Sequence, residues 1–318
     1  MTPKVPAGRM NGMDPELEAF LPFVPQGDLS DPLASRRAYA EVASARPLPD
    51  LSDLEVEDRT VPAASDTAAS TAPGVPVRLY RPRRTRGALV WMHGGGWAMG
   101  DVDTEHPWAA RIALDADLVV ISVGYRLAPE APFPAAMDDV YTVLNWAAEN
   151  AAELGIDPDR IAVGGHSAGA NLAAAVSLRA RDEQGPPIRF QLLNEPSLDD
   201  RQESWSARNF TDTPWATRKL LTQAWQLYLG AVPATVYAAP ARATDLSGLP
   251  PAYIATAEFD PSRDEQIDYA LRLLQAGVSV ELHQWPGTFH GSQAVLSAEV
   301  SQRQVAELTG ALRRAMAA

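Results

Sequence analysis

Cysteine is absent from all 318 residues. That excludes a disulfide framework, a thiol nucleophile and any cysteine metal site, and leaves the redox compartment open. Long apolar runs are missing as well. None approaches the roughly 20 residues that a membrane-spanning helix needs. The opening residues, MTPKVPAGRMNGMDPE, lack the apolar segment of a secretory signal. Basic residues are in deficit: 27 Lys and Arg against 40 Asp and Glu leave a formal net charge of -13. Such a surface repels nucleic acid and anionic membranes. No internal repeat is visible. These absences describe a soluble, cytoplasmic protein with no nucleic-acid partner and no stable membrane insertion.

The chain is 46% hydrophobic, enough for one large core with a small added lid. Residues 1–50 carry short helical patterns, Glu16–Phe23 and Pro32–Ser44, broken by Pro and Gly. The Ala- and Pro-rich runs 61–76 and 230–243 read as loops. Between and after them, strands alternate with helices. Strands are expected at Val77–Tyr80, Ala88–Met92, Leu118–Val123, Arg160–Val163, Phe190–Leu193, Ala252–Thr256 and Val278–Gln284. Helices are expected at His106–Asp115, Pro134–Asn150, Ala168–Arg181, Pro261–Ala276 and Ser292–Met316. This alternation predicts an α/β fold with a mostly parallel sheet covered on both faces. Ligands bind such sheets beyond the C-terminal strand ends.

Two of those ends carry glycine-rich motifs. Gly165-His166-Ser167-Ala168-Gly169 follows a strand and opens a helix, the setting of a serine nucleophile on a tight turn. Bulk at Gly165 or Gly169 would collide with the neighbouring strand and helix. The alternative is that Ser167 only caps the helix. His93-Gly94-Gly95-Gly96-Trp97 follows the buried strand Ala88–Met92. Consecutive glycines cost backbone entropy, and a close approach to a bound oxygen gives them a use. The N–H groups of Gly94, Gly95 and Ala168 are the candidate oxyanion donors. Gly96 shapes the loop, and His93 orients it by hydrogen bonding.

Five histidines compete for the base: His93, His106, His166, His283 and His290. The order serine, acid, histidine leaves His283 and His290. His283 lies within a strand, whereas His290 lies in the loop Gly287–Gly291, where catalytic groups belong. Among Glu258, Asp260, Asp264, Glu265 and Asp268, only Asp260 is an aspartate still in the loop. Pro261 reads as the first helical residue, so Asp260 is either its N-cap or the acid that orients His290, or both. Asp264, Glu265 and Asp268 are expected to support the helix dipole or face solvent.

Residues about 75–310 resemble the hormone-sensitive-lipase-like family of α/β-hydrolases. The likeness rests on His93–Trp97, on Tyr125-Arg126-Leu127-Ala128-Pro129-Glu130 with Phe133-Pro134-Ala135-Ala136 and Asp138-Asp139, on Gly165–Gly169, on Asp260–Glu265 and on His290-Gly291. It implies an eight-stranded, mostly parallel sheet flanked by helices, with a helical cap. It also implies a serine carboxylesterase acting on short- to medium-chain acyl esters through Ser167, His290 and Asp260, with no cofactor or metal and often as a homodimer. An amidase, acetyl-ester or lactone hydrolase on the same triad is the alternative, and a binding protein of this fold the other. The resemblance suggests that Tyr125–Glu130 buttress the site, with Glu130 near it as support. Residues 1–50 and 196–235 are the expected cap elements, and 51–195 with 236–318 the catalytic core.

The sequence departs from that family at several positions. His166 stands where an acidic or small polar residue is usual, Ala170 replaces a glycine, and Ser292 follows Gly291 where Phe is usual, a candidate for a wider pocket. Leu193-Asn194-Glu195-Pro196-Ser197 departs from an aromatic–proline pattern. In the lid, Trp205, Phe210, Trp215, Leu221, Trp225 and Tyr228 supply apolar surface. Leu221, Trp225 and Tyr228 have helical spacing and are expected mainly to pack. One or two of these, such as Trp225, are candidates to line the pocket opposite Trp97, as are Phe20, Leu21 and Phe23.

Overall fold

A computed structural model describes residues 12–24, 27–62 and 74–317. Most of the run expected as a loop at 61–76 falls outside the described residues. The strands are β1 (Leu54–Val61), β2 (Val75–Pro82), β3 (Ala88–Met92), β4 (Val119–Val123), β5 (Ile161–His166), β6 (Phe190–Asn194), β7 (Ala252–Phe259) and β8 (Val280–Phe289). They form one eight-stranded sheet in the order β1-β2-β4-β3-β5-β6-β7-β8. β2 runs antiparallel to β1 and β4, and every later pairing is parallel. The eighth strand is β1, which the sequence reading did not anticipate. LEVEDRTV is crowded with charge because an edge strand presents most of its side chains to water.

The helices are α1 (Pro15–Glu18), α2 (Pro32–Ser44), α3 (His106–Ala116), α4 (Ala135–Glu149), α5 (Ala151–Leu154), α6 (Ala168–Asp182), α7 (Trp205–Asn209), α8 (Arg218–Leu229), α9 (Arg263–Gln275) and α10 (Glu299–Ala317). Central strands are largely apolar and buried because both faces are covered. Along β3, Ala88, Val90 and Met92 join the core that holds α4 and α6, while Leu89 and Trp91 join the core that holds α3 and α10. α6 is rich in alanine, which lets it lie close against the sheet beside the serine turn. Most helix boundaries moved by one or two residues, and two of the shifts fall beside the site residues. α9 starts at Arg263 rather than Pro261, and the C-terminal helical stretch is a short 3-10 turn, Ser292–Ala294, followed by α10. The run 230–243 is a loop with one 3-10 turn, Pro240–Arg242. Among the described residues no helix is long and apolar enough to cross a membrane.

Candidate active site

Ser167 is the single residue between β5 and α6. Its backbone has φ 56° and ψ -116°, a conformation that side-chain-bearing residues rarely adopt. The turn is tight because two glycines permit it. A Cβ on Gly165 would lie 2.6 Å from the Met92 carbonyl oxygen, and one on Gly169 would overlap the Met92 and His93 carbonyls. Ser167 occupies the N-cap position, yet its side chain makes no capping hydrogen bond. Its Oγ lies 2.9 Å from His290 Nε2 instead.

His290 follows β8, and its Nδ1 lies 2.8 Å from Asp260 Oδ2. With Nδ1–H donating to Asp260, Nε2 is left to accept the Ser167 hydroxyl. Asp260 follows β7 and is fully buried. It also accepts the Ser262 N–H at 2.7 Å and the Gln266 side-chain N–H at 3.2 Å. It is not the cap of α9, whose N-cap position is held by Ser262. Burial opposes ionisation of Asp260, but the His290 charge and these hydrogen bonds outweigh it and hold the carboxyl below its ordinary value. Burial likewise opposes protonation of His290. The Asp260 charge and hydrogen bond, with the charge of Glu195, outweigh it and raise the imidazole to about 9.

The other titratable candidates are engaged elsewhere. His283 pairs with Glu281 at 2.9 Å, and His106 meets the Tyr80 hydroxyl at 2.9 Å. Asp268 is exposed near Arg272, and Glu258 accepts the Gly287 N–H. Asp264 turns toward Ser206. Glu265 corrects part of the sequence reading: it lies in the first turn of α9 but does not face solvent. It is buried and accepts the Leu198 and Asp199 N–H groups, and burial pushes its pKa well up.

The glycine loop lies opposite Ser167. Among the described residues, the N–H groups of Gly94, Gly95 and Ala168 donate to no acceptor. Gly95 has φ 119°, and a Cβ there would press into the Met99 backbone. His93 is buried, with Nδ1 2.8 Å from the Gly94 carbonyl oxygen. Burial lowers its pKa and favours the neutral ring. Tyr125 stacks on His93 at 4.1 Å and donates its hydroxyl to the His93 carbonyl at 2.8 Å. Arg126 in turn is held by buried Asp139 at 2.7 Å. The central block thus braces the loop from behind.

A cavity of about 370 Å³ opens onto Ser167 and His290. Gly95, Gly96, Trp97 and His166 line it from the core, Phe20, Phe23 and Tyr39 from the N-terminal segment, and Trp215, Leu220 and Leu221 from the later insertion. His166 therefore faces the cavity rather than away from it. Trp225 does not line it; it packs 4.6 Å from Trp97, which also stacks on Tyr228 at 4.3 Å. Leu21 and Ser292 are not in the lining either. Ser292 is buried between the lining residues Gly291 and Gln293. Trp205 and Phe210 pack around Arg263. Glu130 does not line the cavity: it is exposed and bound to Arg36 of α2 at 2.6 Å.

Glu195 escaped the sequence reading as a functional residue, although the unusual Asn194-Glu195-Pro196 stretch marked its position. It is fully buried, and its Oε2 lies 3.2 Å from His166 Nε2 and 2.7 Å from the Gly291 nitrogen. His166, Glu195 and His290 lie close enough to converge on a cation. Both ring nitrogens of His290 are already engaged, Nδ1 by Asp260 and Nε2 by Ser167.

The profile of the alpha/beta hydrolase fold family matches residues 89–294. Over 255 residues the chain is 45% identical to a Mycobacterium tuberculosis protein named carboxylesterase NlhH, covering 76% of each chain. It is 34% identical to a Pseudomonas putida ethyl acetate hydrolase, covering 87% of this chain and 91% of that one. A solved structure titled bacterial heroin esterase superposes with a TM-score of 0.91 at 45% identity, covering 96% of this chain and 98% of that one.

Proposed function

The chain belongs to the alpha/beta hydrolase fold family, in its hormone-sensitive-lipase-like branch, and is a carboxylic ester hydrolase; on that premise we propose that it cleaves short- to medium-chain acyl esters through an acyl-enzyme on Ser167. The observation that carries this reading is the continuous hydrogen-bonded line from Ser167 Oγ to His290 Nε2, 2.9 Å, and from His290 Nδ1 to Asp260, 2.8 Å, at the floor of the cavity.

In this reading neutral His290 takes the Ser167 proton as Oγ attacks the ester carbonyl. Charge then develops on the carbonyl oxygen, and the N–H groups of Gly94, Gly95 and Ala168 are its donors, a role supported by their having no other acceptor among the described residues. The imidazolium returns its proton to the leaving alcohol. A water, deprotonated by His290, attacks the acyl carbonyl and frees Ser167. Asp260 holds the ring in the tautomer that both steps need.

Residues 1–50 and 196–235 serve as the cap, a division supported by the aromatic and leucine side chains that both segments turn into the cavity. The apolar side chains that line the cavity, Leu29, Trp97, Leu220 and Leu221 among them, support an acyl chain as its occupant. Turnover of acetyl, butyryl, hexanoyl and palmitoyl p-nitrophenyl esters tests this, with Ser167→Ala as control. Activity is expected to peak before palmitoyl and to vanish in the folded variant. A palmitoyl optimum would reject the chain-length reading, and retained turnover in Ser167→Ala would reject the nucleophile.

A further inference from the structure

Glu195 is the first residue after β6 and has φ 50°, a left-handed backbone that a residue with a side chain adopts at a cost. β6 lies between β5, which leads into Ser167, and β7, which leads into Asp260. Its end therefore reaches the middle of the site. Glu195 Oε2 accepts the Gly291 N–H at 2.7 Å, lies 3.2 Å from His166 Nε2, and stands 3.7 Å from His290 Nδ1. Oε1 is buried and has no hydrogen-bond partner among the described residues. Leaving such an oxygen unpaired is costly unless a nearby charge compensates. The imidazole of His290, which becomes positive in each turnover, supplies such a charge 3.7 Å from the other oxygen of the same carboxylate.

We propose that Glu195 is a second positioning acid for His290, which anchors the base loop through Gly291, stabilises the imidazolium together with Asp260, and takes over Nδ1–H when Asp260 is removed. The proposal rests on the reading of Ser167, His290 and Asp260 given above. A carboxylate at 3.7 Å is just outside hydrogen-bond range, so a small rotation of the side chain closes the gap. Even without contact, an anion so close favours the protonated ring. The groups that face Glu195 are His166 from the end of β5 and His290 from the loop after β8, whose Nδ1 is also held by Asp260 from the loop after β7. Glu265 of α9 is turned away to the Leu198 and Asp199 N–H groups, and burial raises its pKa.

His166 completes the arrangement. A Cβ on Gly94 would lie 2.8 Å from His166 Nδ1, so the ring packs against the oxyanion loop while its Nε2 meets Glu195. The pair thereby connects the loop that would bind the oxyanion to the loop that carries the base. The unusual histidine beside the serine and the unusual glutamate after β6 meet in one hydrogen bond.

The test compares the full chain with Glu195→Gln, Asp260→Ala, the double variant and Ser167→Ala, measuring kcat/KM on a short acyl ester against pH. Gln keeps an acceptor for the Gly291 N–H, so its effect reports the charge. Glu195→Gln alone is expected to cost less than about tenfold and to move the acid limb to lower pH. Asp260→Ala is expected to stay at least about tenfold above Ser167→Ala. In the Asp260→Ala background, Glu195→Gln is expected to cost at least about tenfold more than in the wild type, because the two acids act as a unit. An unmoved acid limb, or the same fold-loss in both backgrounds, overturns the proposal. Should Glu195→Gln not fold, Glu195→Asp replaces it. Withdrawing the carboxylate by one methylene should lower the residual activity of Asp260→Ala at least about fivefold, and unchanged residual activity overturns the proposal. Retained turnover in Ser167→Ala would instead sink the underlying reading. An inert Ser167→Ala without these Glu195 effects sinks this inference alone.

Discussion

The Asp264 carboxylate accepts the Ser206 N–H at 2.8 Å, while Ser206 Oγ accepts the Asp264 N–H at 3.1 Å. An acid four residues from Asp260 is thereby committed to joining α7 to α9, and it cannot serve His290. Asp264→Asn is expected to lower kcat/KM less than about threefold, while Asp260→Asn lowers it by about 10²-fold or more, because the asparagine amide disturbs the tautomer of His290. Steady-state kinetics on both folded variants check this. Equal losses would refute Asp260 as the acid.

The pH dependence follows from the base. His290 is raised from 6.5 to about 9 in the folded protein. A raised pKa stabilises the fold fully below the unfolded value, and that contribution is lost as pH climbs through about 9. Asp260 has the opposite sign: its contribution is present above the ordinary carboxylate value of 3.8 and is lost as pH falls. With His290 as the proposed base, catalysis needs the neutral imidazole, so kcat/KM should rise with pH, with a midpoint above 6.5 and toward 9. A pH–rate profile with urea titrations at matched pH measures both effects. A midpoint below 6.5 would contradict the assigned environment of His290.

Gly95 combines a free N–H with φ 119° and no room for a Cβ beside Met99. Gly95→Ala should shift the loop and withdraw that donor. The expected loss is about 10²–10³-fold in kcat, the typical effect of removing one oxyanion donor. Turnover within about threefold of the wild type, in protein with native circular dichroism, would take Gly95 out of the oxyanion site.

Arg36 donates to Glu130 at 2.6 Å, but also to the Ala98 and Ala128 carbonyls at 2.7 and 2.9 Å. The ion pair is on the surface, with the Glu130 side chain 57% exposed, so Glu130→Gln should cost no more than about 1 kcal/mol and leave activity nearly unchanged. Arg36→Ala also strips two carbonyls of their donor and should cost more. Urea denaturation of both variants orders them. A larger loss in Glu130→Gln would mean that the charge, rather than the carbonyl contacts, attaches α2 to the core.

Much of the site was legible because its signals are local. The apolar run Ala88–Met92 became β3 with the same bounds, and the glycine-flanked Ser167 stands on the turn its spacing requires. The sequence reading prefers His290 to His283 because it places Gly287–Gly291 in a loop, whereas β8 runs on to Phe289 and His290 is the first residue past the strand. Glu265 shows where local reading ends. A charged residue in the first turn of a helix reads as solvated, yet α9 packs that turn beneath the 197–199 segment, whose N–H groups need an acceptor. Glu130 fails in the reverse direction: it sits in an informative block, but the chain after Tyr125 carries it to the surface.

The sequence by itself determined the alternation of strand and helix, the two glycine motifs at strand ends, and the order in which serine, aspartate and histidine occur. Periodicity, turn chemistry and chain order are properties of neighbouring residues, and they survive without knowledge of the fold. The tertiary structure decided which side chains meet. Placing β6 between β5 and β7 brings Glu195 against His166 and His290, residues that are distant along the chain. No local pattern records that encounter, because it depends on strand order and on burial that excludes competing water. The serine turn was written in its own five residues, while the second carboxylate beside its base came from the way the sheet is assembled.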